Sequence, residues 1–134
     1  MTLKRLFIVV AVVEALYGLA GLAIPPSAIG TLLGWNLSPD GHWVTKLLGA
    51  ALFTQAATAW FLRERVTREV AIVFAAYQLL AVCIDAVVLT SLDGALANPM
   101  ARASALIAIP THGIIGLLLL ASAARTAKAE GVAS

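Results

Sequence analysis

Four apolar runs, at residues 6–24, 43–62, 69–89 and 103–124, take up most of a 134-residue chain. Each is close to the roughly 20 residues that a helix needs to cross a hydrocarbon core. The connections at 25–42, 63–68 and 90–102 are short, as is the small polar tail at 126–134. No room is left for a soluble domain, so residues 1–134 are expected to form a single unit. The composition agrees: 61% of residues are hydrophobic and 12% charged, against about 45–50% and about 25% in soluble domains. Mean hydropathy is +0.96. The expected class is all-α, an integral membrane antiparallel four-helix bundle.

The same figures exclude several function classes. The chain is too apolar to be disordered. Its single cysteine, Cys83, rules out an internal disulfide framework and any zinc site built on several thiolates. A net charge of +2 with scattered basic residues argues against nucleic-acid binding. Cys83 itself reads as inert core.

Lys4 and Arg5 ahead of an apolar run, with Gly18-Leu19-Ala20 beyond, resemble a secretory signal. Glu14 falls in the middle of that run, which a cleaved segment rarely tolerates, so the run reads as the first helix of the mature protein. Orientation follows from basic residues. Lys4, Arg5, Arg63, Arg65, Arg68, Arg125 and Lys128 fall on one side of the expected topology and only Arg102 on the other. Both termini and the Arg-rich turn are therefore expected on the cytoplasmic face of the cell's inner (plasma) membrane, in a multi-pass arrangement. Trp35 and Trp43 would mark the outer interface, Trp60 and Phe61 the inner one. In the outer connection, Pro25 and Pro26 end the first helix. Ile29, Leu32 and Leu33 then recur at helical spacing before Gly34. That pattern predicts one or two turns lying in the interface, either a plain connector or a lid.

The informative residues are the polar ones inside the apolar runs: Glu14, Lys46, Gln55, Gln78, Asp85 and His112. A charge at mid-membrane costs at least ~2.5–3.5 kcal/mol, so such residues usually face a protein interior. Their helical neighbours are small. Glu14 shares a face with Ala11, Ala15 and Gly18; Gln78 and Asp85 share one with Ala71, Ala75 and Ala81. His112 lies with Ala105, Ala108 and Gly116, and Lys46 with Gly49, Ala50 and Ala57. Small residues line helix–helix contacts in membranes, so all four faces are expected to point inward.

Depth separates these residues. Lys46 and Asp85 lie at matching depth near the outer ends of their helices, which pairs them as a buried ion pair, unless Lys46 snorkels outward. Glu14, Gln55, Gln78 and His112 lie nearer the middle. Gln55 and Gln78 read as interhelical hydrogen-bond partners, and Gln55 faces away from Lys46. Pro110 should strip the hydrogen bond from the Leu106 carbonyl and kink the fourth helix. A carboxyl at the position of Glu14 needs either a proton or a cationic companion, Lys46 or His112. Tyr17 and Tyr77 combine a packing ring with a hydroxyl to satisfy.

No catalytic triad, nucleophile elbow or phosphate loop occurs. The Glu-x-x-His pairing of di-iron bundles is missing, and His42 and His112 lie at unmatched depths for bis-histidine haem. Neither a metal nor another cofactor is expected. Acid–base chemistry on an apolar substrate remains open to Glu14, His112, Asp85 and Lys46, with Tyr17, Gln55, Gln78 and Tyr77 as ligand contacts.

Two resemblances bear on this pattern. Ala11-x-x-Glu14 resembles the first span of the small multidrug resistance transporters, four-helix proteins whose membrane-embedded glutamate exchanges protons for cationic drugs. The long 25–42 connection and the ionisable residues of spans three and four depart from that family. The sequence Gly18-Leu-Ala-Gly21 followed by Pro25-Pro26, Leu33-Gly34 and Lys46-Leu-Leu-Gly49-Ala50 resembles small DoxX-like four-helix membrane proteins over residues 1–65. That resemblance implies the fold and carries over no catalytic residue. The leading expectation is a bilayer-embedded protein that binds, or chemically handles, a small apolar or amphipathic molecule such as a lipid, quinone or isoprenoid. Proton-coupled transport, with dimerisation, is the second. The third is an accessory subunit of a larger membrane complex.

Overall fold

The computed structural model describes residues 2–91 and 98–132, and side chains within 2–90 and 98–126. The expected 90–102 connection and 126–134 tail, with Lys128, therefore lie partly outside the described residues. The described chain is helical throughout its ordered elements: α1 (Leu3–Ala23), α2 (Pro26–Leu33), α3 (Pro39–Leu62), α4 (Arg68–Ser91) and α5 (Pro99–Val132).

Local chemistry sets these boundaries. Ser38-Pro39 opens α3, with the Ser38 hydroxyl accepting the Gly41 amide at 3.1 Å. Asn98-Pro99 opens α5, with Asn98 Oδ1 accepting the Met100 amide at 2.9 Å. A polar cap followed by proline suits a helix start, because the first turn leaves amides unpaired and proline has none to waste. Gly34 ends α2 at φ 70°, a left-handed conformation that favours glycine. α5 stays helical through Pro110.

α1 lies antiparallel along α3, α4 lies along α5, and α1 joins the two pairs through α5. α1 and α3 meet at glycines: a Cβ added at Gly49 would lie 2.9 Å from the Gly21 carbonyl carbon, and one at Gly18 would lie 2.6 Å from the Phe53 amide nitrogen. The inward faces expected around Glu14, Gln78 and His112 are realised, whereas on the Lys46 face Gly49 is buried and Ala50 is exposed. Glu14, Gln78, Ala71, Ala75 and Ala105 are buried, as are Gly18, Gly49 and Gly116. Large apolar side chains such as Val12, Val87, Ile107 and Leu117 point outward. Cys83 is exposed, not core, because it lies on the face of α4 away from Gln78.

α1 (Leu3–Ala23) and the stretches Arg68–Thr90 and Pro99–Thr126 are long and apolar enough to cross a membrane, which makes this a membrane protein. α3 is as long, 24 residues, but more polar. It carries Asp40, His42, Lys46 and Gln55, and its Thr45, Thr54 and Thr58 hydroxyls donate to carbonyls four residues back.

The protein is packed at one end and hollow at the other. At the Arg-rich end Leu6, Phe7, Val10, Phe74, Ile115 and Leu119 form the apolar core, with the Phe7 and Phe74 rings 4.9 Å apart. Lys4 of α1 meets Glu64 of the α3–α4 turn at 2.7 Å. That hydrogen bond, and after it the charges of Lys4 and Arg63, hold the Glu64 carboxyl below its ordinary value. A depressed carboxylate pKa stabilises above the unfolded value, and the contribution is lost as pH falls through the folded one. Carboxyl NMR should show Glu64 titrating at lower pH in the parent than in Lys4→Ala. Both groups are half exposed, so overall stability should barely change.

Candidate functional site

Glu14 of α1, Gln78 of α4 and His112 of α5 form one buried chain of hydrogen bonds. Gln78 Nε2 donates to Glu14 Oε1 at 2.6 Å. Gln78 Oε1 lies 2.5 Å from His112 Nδ1, so that nitrogen is the donor. The amide fixes the polarity of the whole chain: N–H of the imidazole to the amide oxygen, N–H of the amide to the carboxyl. Glu14 and Gln78 are fully buried and His112 nearly so. Glu14 Oε2 is buried without a partner, and His112 Nε2 makes no hydrogen bond among the described residues. The Tyr17 ring lies 6.3 Å and the Tyr77 ring 6.4 Å from the imidazole, Tyr77 edge-on.

This chain forms the floor of a cavity of about 880 Å³. The lining reaches Val13 and Glu14 on α1, Leu52 on α3, Tyr77 on α4 and His112 on α5, and beyond those positions the packed core begins. At the opposite end Ile29 and Leu33 of α2 close over it, together with Trp35. Ile29 is 1% exposed. The expected interfacial turns are thus a two-turn helix covering an opening in the protein. Trp35, expected at the outer interface, borders the cavity, with Nε1 unpartnered. The cause is local: left-handed Gly34 turns the chain back against Asn98 and Ala101 at the start of α5.

The other singled-out residues divide. Asp85 lines the cavity one helical stretch above Gln78. Lys46 does not pair with Asp85. Its ammonium donates to the Leu22 and Ile24 carbonyls at 2.8 and 2.6 Å. The physical reason lies in Pro26, which has no amide to give the Leu22 carbonyl one turn back. Lys46 supplies the missing donor and closes the end of α1. Gln78, expected as a ligand contact, does not line the cavity; both ends of its amide are used between Glu14 and His112. Gln55 lines a separate groove of about 540 Å³ between α3 and α4, with Nε2 unpartnered. Tyr77 borders both spaces.

Glu14, Asp85, His112, Tyr17 and Tyr77 therefore share one cavity, while Lys46, Gln55 and Gln78 stand outside it. Among the described residues no group of three His, Cys, Asp or Glu side chains is placed to hold a metal. The arrangement can hold a hydrogen-bonding group at a buried floor and exchange a proton with it through the carboxyl or the imidazole. No family model matches this sequence, and no curated protein or solved structure was found to match it.

Proposed function

We propose that the protein is a four-helix membrane bundle, with α3 as its remaining span, that binds a small apolar or amphipathic molecule in the cavity between its helices. One observation carries this reading: the hollow end has a floor of buried ionisable groups, one with a free oxygen, and a cover of its own. A buried polar atom without a partner is costly, about 1–3 kcal/mol, and a ligand that reaches Glu14 Oε2 removes that cost. The apolar walls, from Leu16 and Leu48 to Ile84 and Val88, fit the body of such a molecule. The volume lies in the roughly 300–1,000 Å³ range of drug-sized sites. Glu14 and His112 hold the polar end, Tyr17 and Tyr77 flank it, and α2 covers it.

Purified protein in nanodiscs should retain an apolar molecule through gentle isolation, identifiable by mass spectrometry. Glu14→Gln and His112→Ala should each release it about tenfold faster or more while still inserting, by loss of the hydrogen bonds that hold its polar end. Unchanged retention in both variants would end this reading. Proton-coupled transport is the second reading, favoured by the carboxyl–amide–imidazole chain. It requires pH-dependent uptake into liposomes that disappears with Glu14→Gln.

A further inference from the structure

The polar groups that border the cavity are unevenly matched. Two acids, Glu14 and Asp85, line it, and no lysine or arginine does. The nearest candidate cation, Lys46, is committed to the carbonyls of Leu22 and Ile24. Thr45, Ser104 and Thr111 also line the cavity, but each hydroxyl donates to its own helix, at Gly41, Met100 and Ile107. They show the cavity lone pairs only. An anionic head group entering here would meet like charge from both acids, with only the uncharged donors of Trp35, Tyr17 and Tyr77 along the walls to replace its water.

The floor has its own requirement. Gln78 consumes one oxygen of Glu14 and one nitrogen of His112, leaving Oε2 and Nε2. A net-neutral chain has two forms. In one, Oε2 carries the proton and donates while Nε2 accepts; in the other, Nε2–H donates and Oε2 accepts. Either way the floor presents one donor and one acceptor. A hydroxyl, which donates once and accepts, answers both. A carboxylate or an ether answers only one.

From this we infer that the ligand is a neutral alcohol, its hydroxyl seated on Glu14 and His112 and its apolar body running toward α2, and that the cavity rejects fatty acids and other anionic amphiphiles. The inference rests on the binding function proposed above and narrows its ligand class.

The test uses the full chain in nanodiscs of neutral lipid and three probes of one carbon skeleton: farnesol, farnesoic acid and farnesyl methyl ether. Binding is read at pH 7.5 from Trp35 fluorescence in a Trp43→Phe, Trp60→Phe background, since both replaced rings lie exposed outside the cavity. Farnesol should bind about 10- to 100-fold tighter than either analogue, the ratio expected when a built hydrogen-bonding site is left unpaired. Asp85→Asn leaves the Glu14–Gln78–His112 chain intact and should narrow the alcohol-over-acid ratio several-fold while leaving the alcohol-over-ether ratio unchanged. Farnesoic acid binding as well as farnesol, or an unchanged acid ratio in Asp85→Asn, would overturn the choice of alcohol and leave the cavity as a binding site. Failure of all three probes to bind would overturn both.

Discussion

Gln78→Leu should be the most destabilising single change in the polar chain, worse than removing either residue that Gln78 connects. The substitution orphans Glu14 Oε1 and the His112 Nδ1–H together, both on side chains buried between the helices. Each unsatisfied buried group costs about 1–3 kcal/mol, so about 2–6 kcal/mol is at stake. Glu14→Leu orphans only the amide N–H of Gln78, and His112→Phe only its oxygen. Replacing all three residues at once, with Leu, Leu and Phe, leaves no polar group behind. Buried polar clusters exchanged for apolar ones of similar volume are often neutral or stabilising. Unfolding in detergent micelles should therefore rank Gln78→Leu as least stable and the triple variant near the parent. A triple variant as unstable as Gln78→Leu would mean that shape, not hydrogen bonding, holds α1, α4 and α5 together here. A stable triple variant without ligand retention would separate the two roles of the chain: it is kept for what it binds, at no gain in stability.

The same chain shows what the sequence made legible. Glu14 and His112 were expected to face inward because small residues recur beside each at helical spacing, and helical geometry fixes which side chains share a face. Their meeting through Gln78 follows from the same patterning, since Gln78 stands on the Ala71–Ala75 face of α4. The pairing of Lys46 with Asp85 failed because depth along a helix says nothing about direction around it. A competing partner was also present in the sequence. Pro25-Pro26 withholds two amides from the last turn of α1, and a lysine two turns into α3 is the nearest donor in an antiparallel neighbour. Reading prolines for the carbonyls they strand would have placed Lys46. The cavity had no such signal. It arises where α1–α3 and α4–α5 stand apart above the core, and apolar residues that line a hollow read the same as those that fill one. That Trp35 borders the cavity was hidden for the related reason that a turn at Gly34 redirects the chain without altering its hydropathy.

Gly18→Val should separate α1 from α3 and is expected to be the largest packing defect among substitutions at the glycines where these two helices meet. The two helices cross with Gly18 and Gly21 on one and Gly49 on the other. At Gly18 even the first added carbon would stand 2.6 Å from the Phe53 amide nitrogen and 2.9 Å from its Cα. Those are backbone atoms, so no side chain can swing aside and the helix axes themselves must part. Overpacking of a close-fitted contact costs about 1–3 kcal/mol where side chains can adjust, and here the upper end or more is expected. In a membrane the loss is not offset by any hydrophobic gain, because lipid is as apolar as the partner helix. Gly113 and Gly30 provide the control. A carbon added at Gly113 meets only Val82 Cγ2 at 3.8 Å, and one at Gly30 meets only the Trp35 carbonyl at 3.7 Å, both ordinary contacts. Gly113→Ala and Gly30→Ala should leave stability unchanged or raise it by up to about 1 kcal/mol through helix propensity. Gly18→Ala should already lower it, with Gly18→Val lower still. The consequence reaches the cavity, because Gly21 and Gly49 are part of its wall and Lys46 closes α1 only while α3 stays against it. Thermal unfolding in micelles checks the stability order. Ligand retention should fall with Gly18→Val even where circular dichroism shows the helices intact, whereas retention unchanged beside a stability loss would mean that the two helix pairs hold the ligand independently of how closely α1 and α3 are joined.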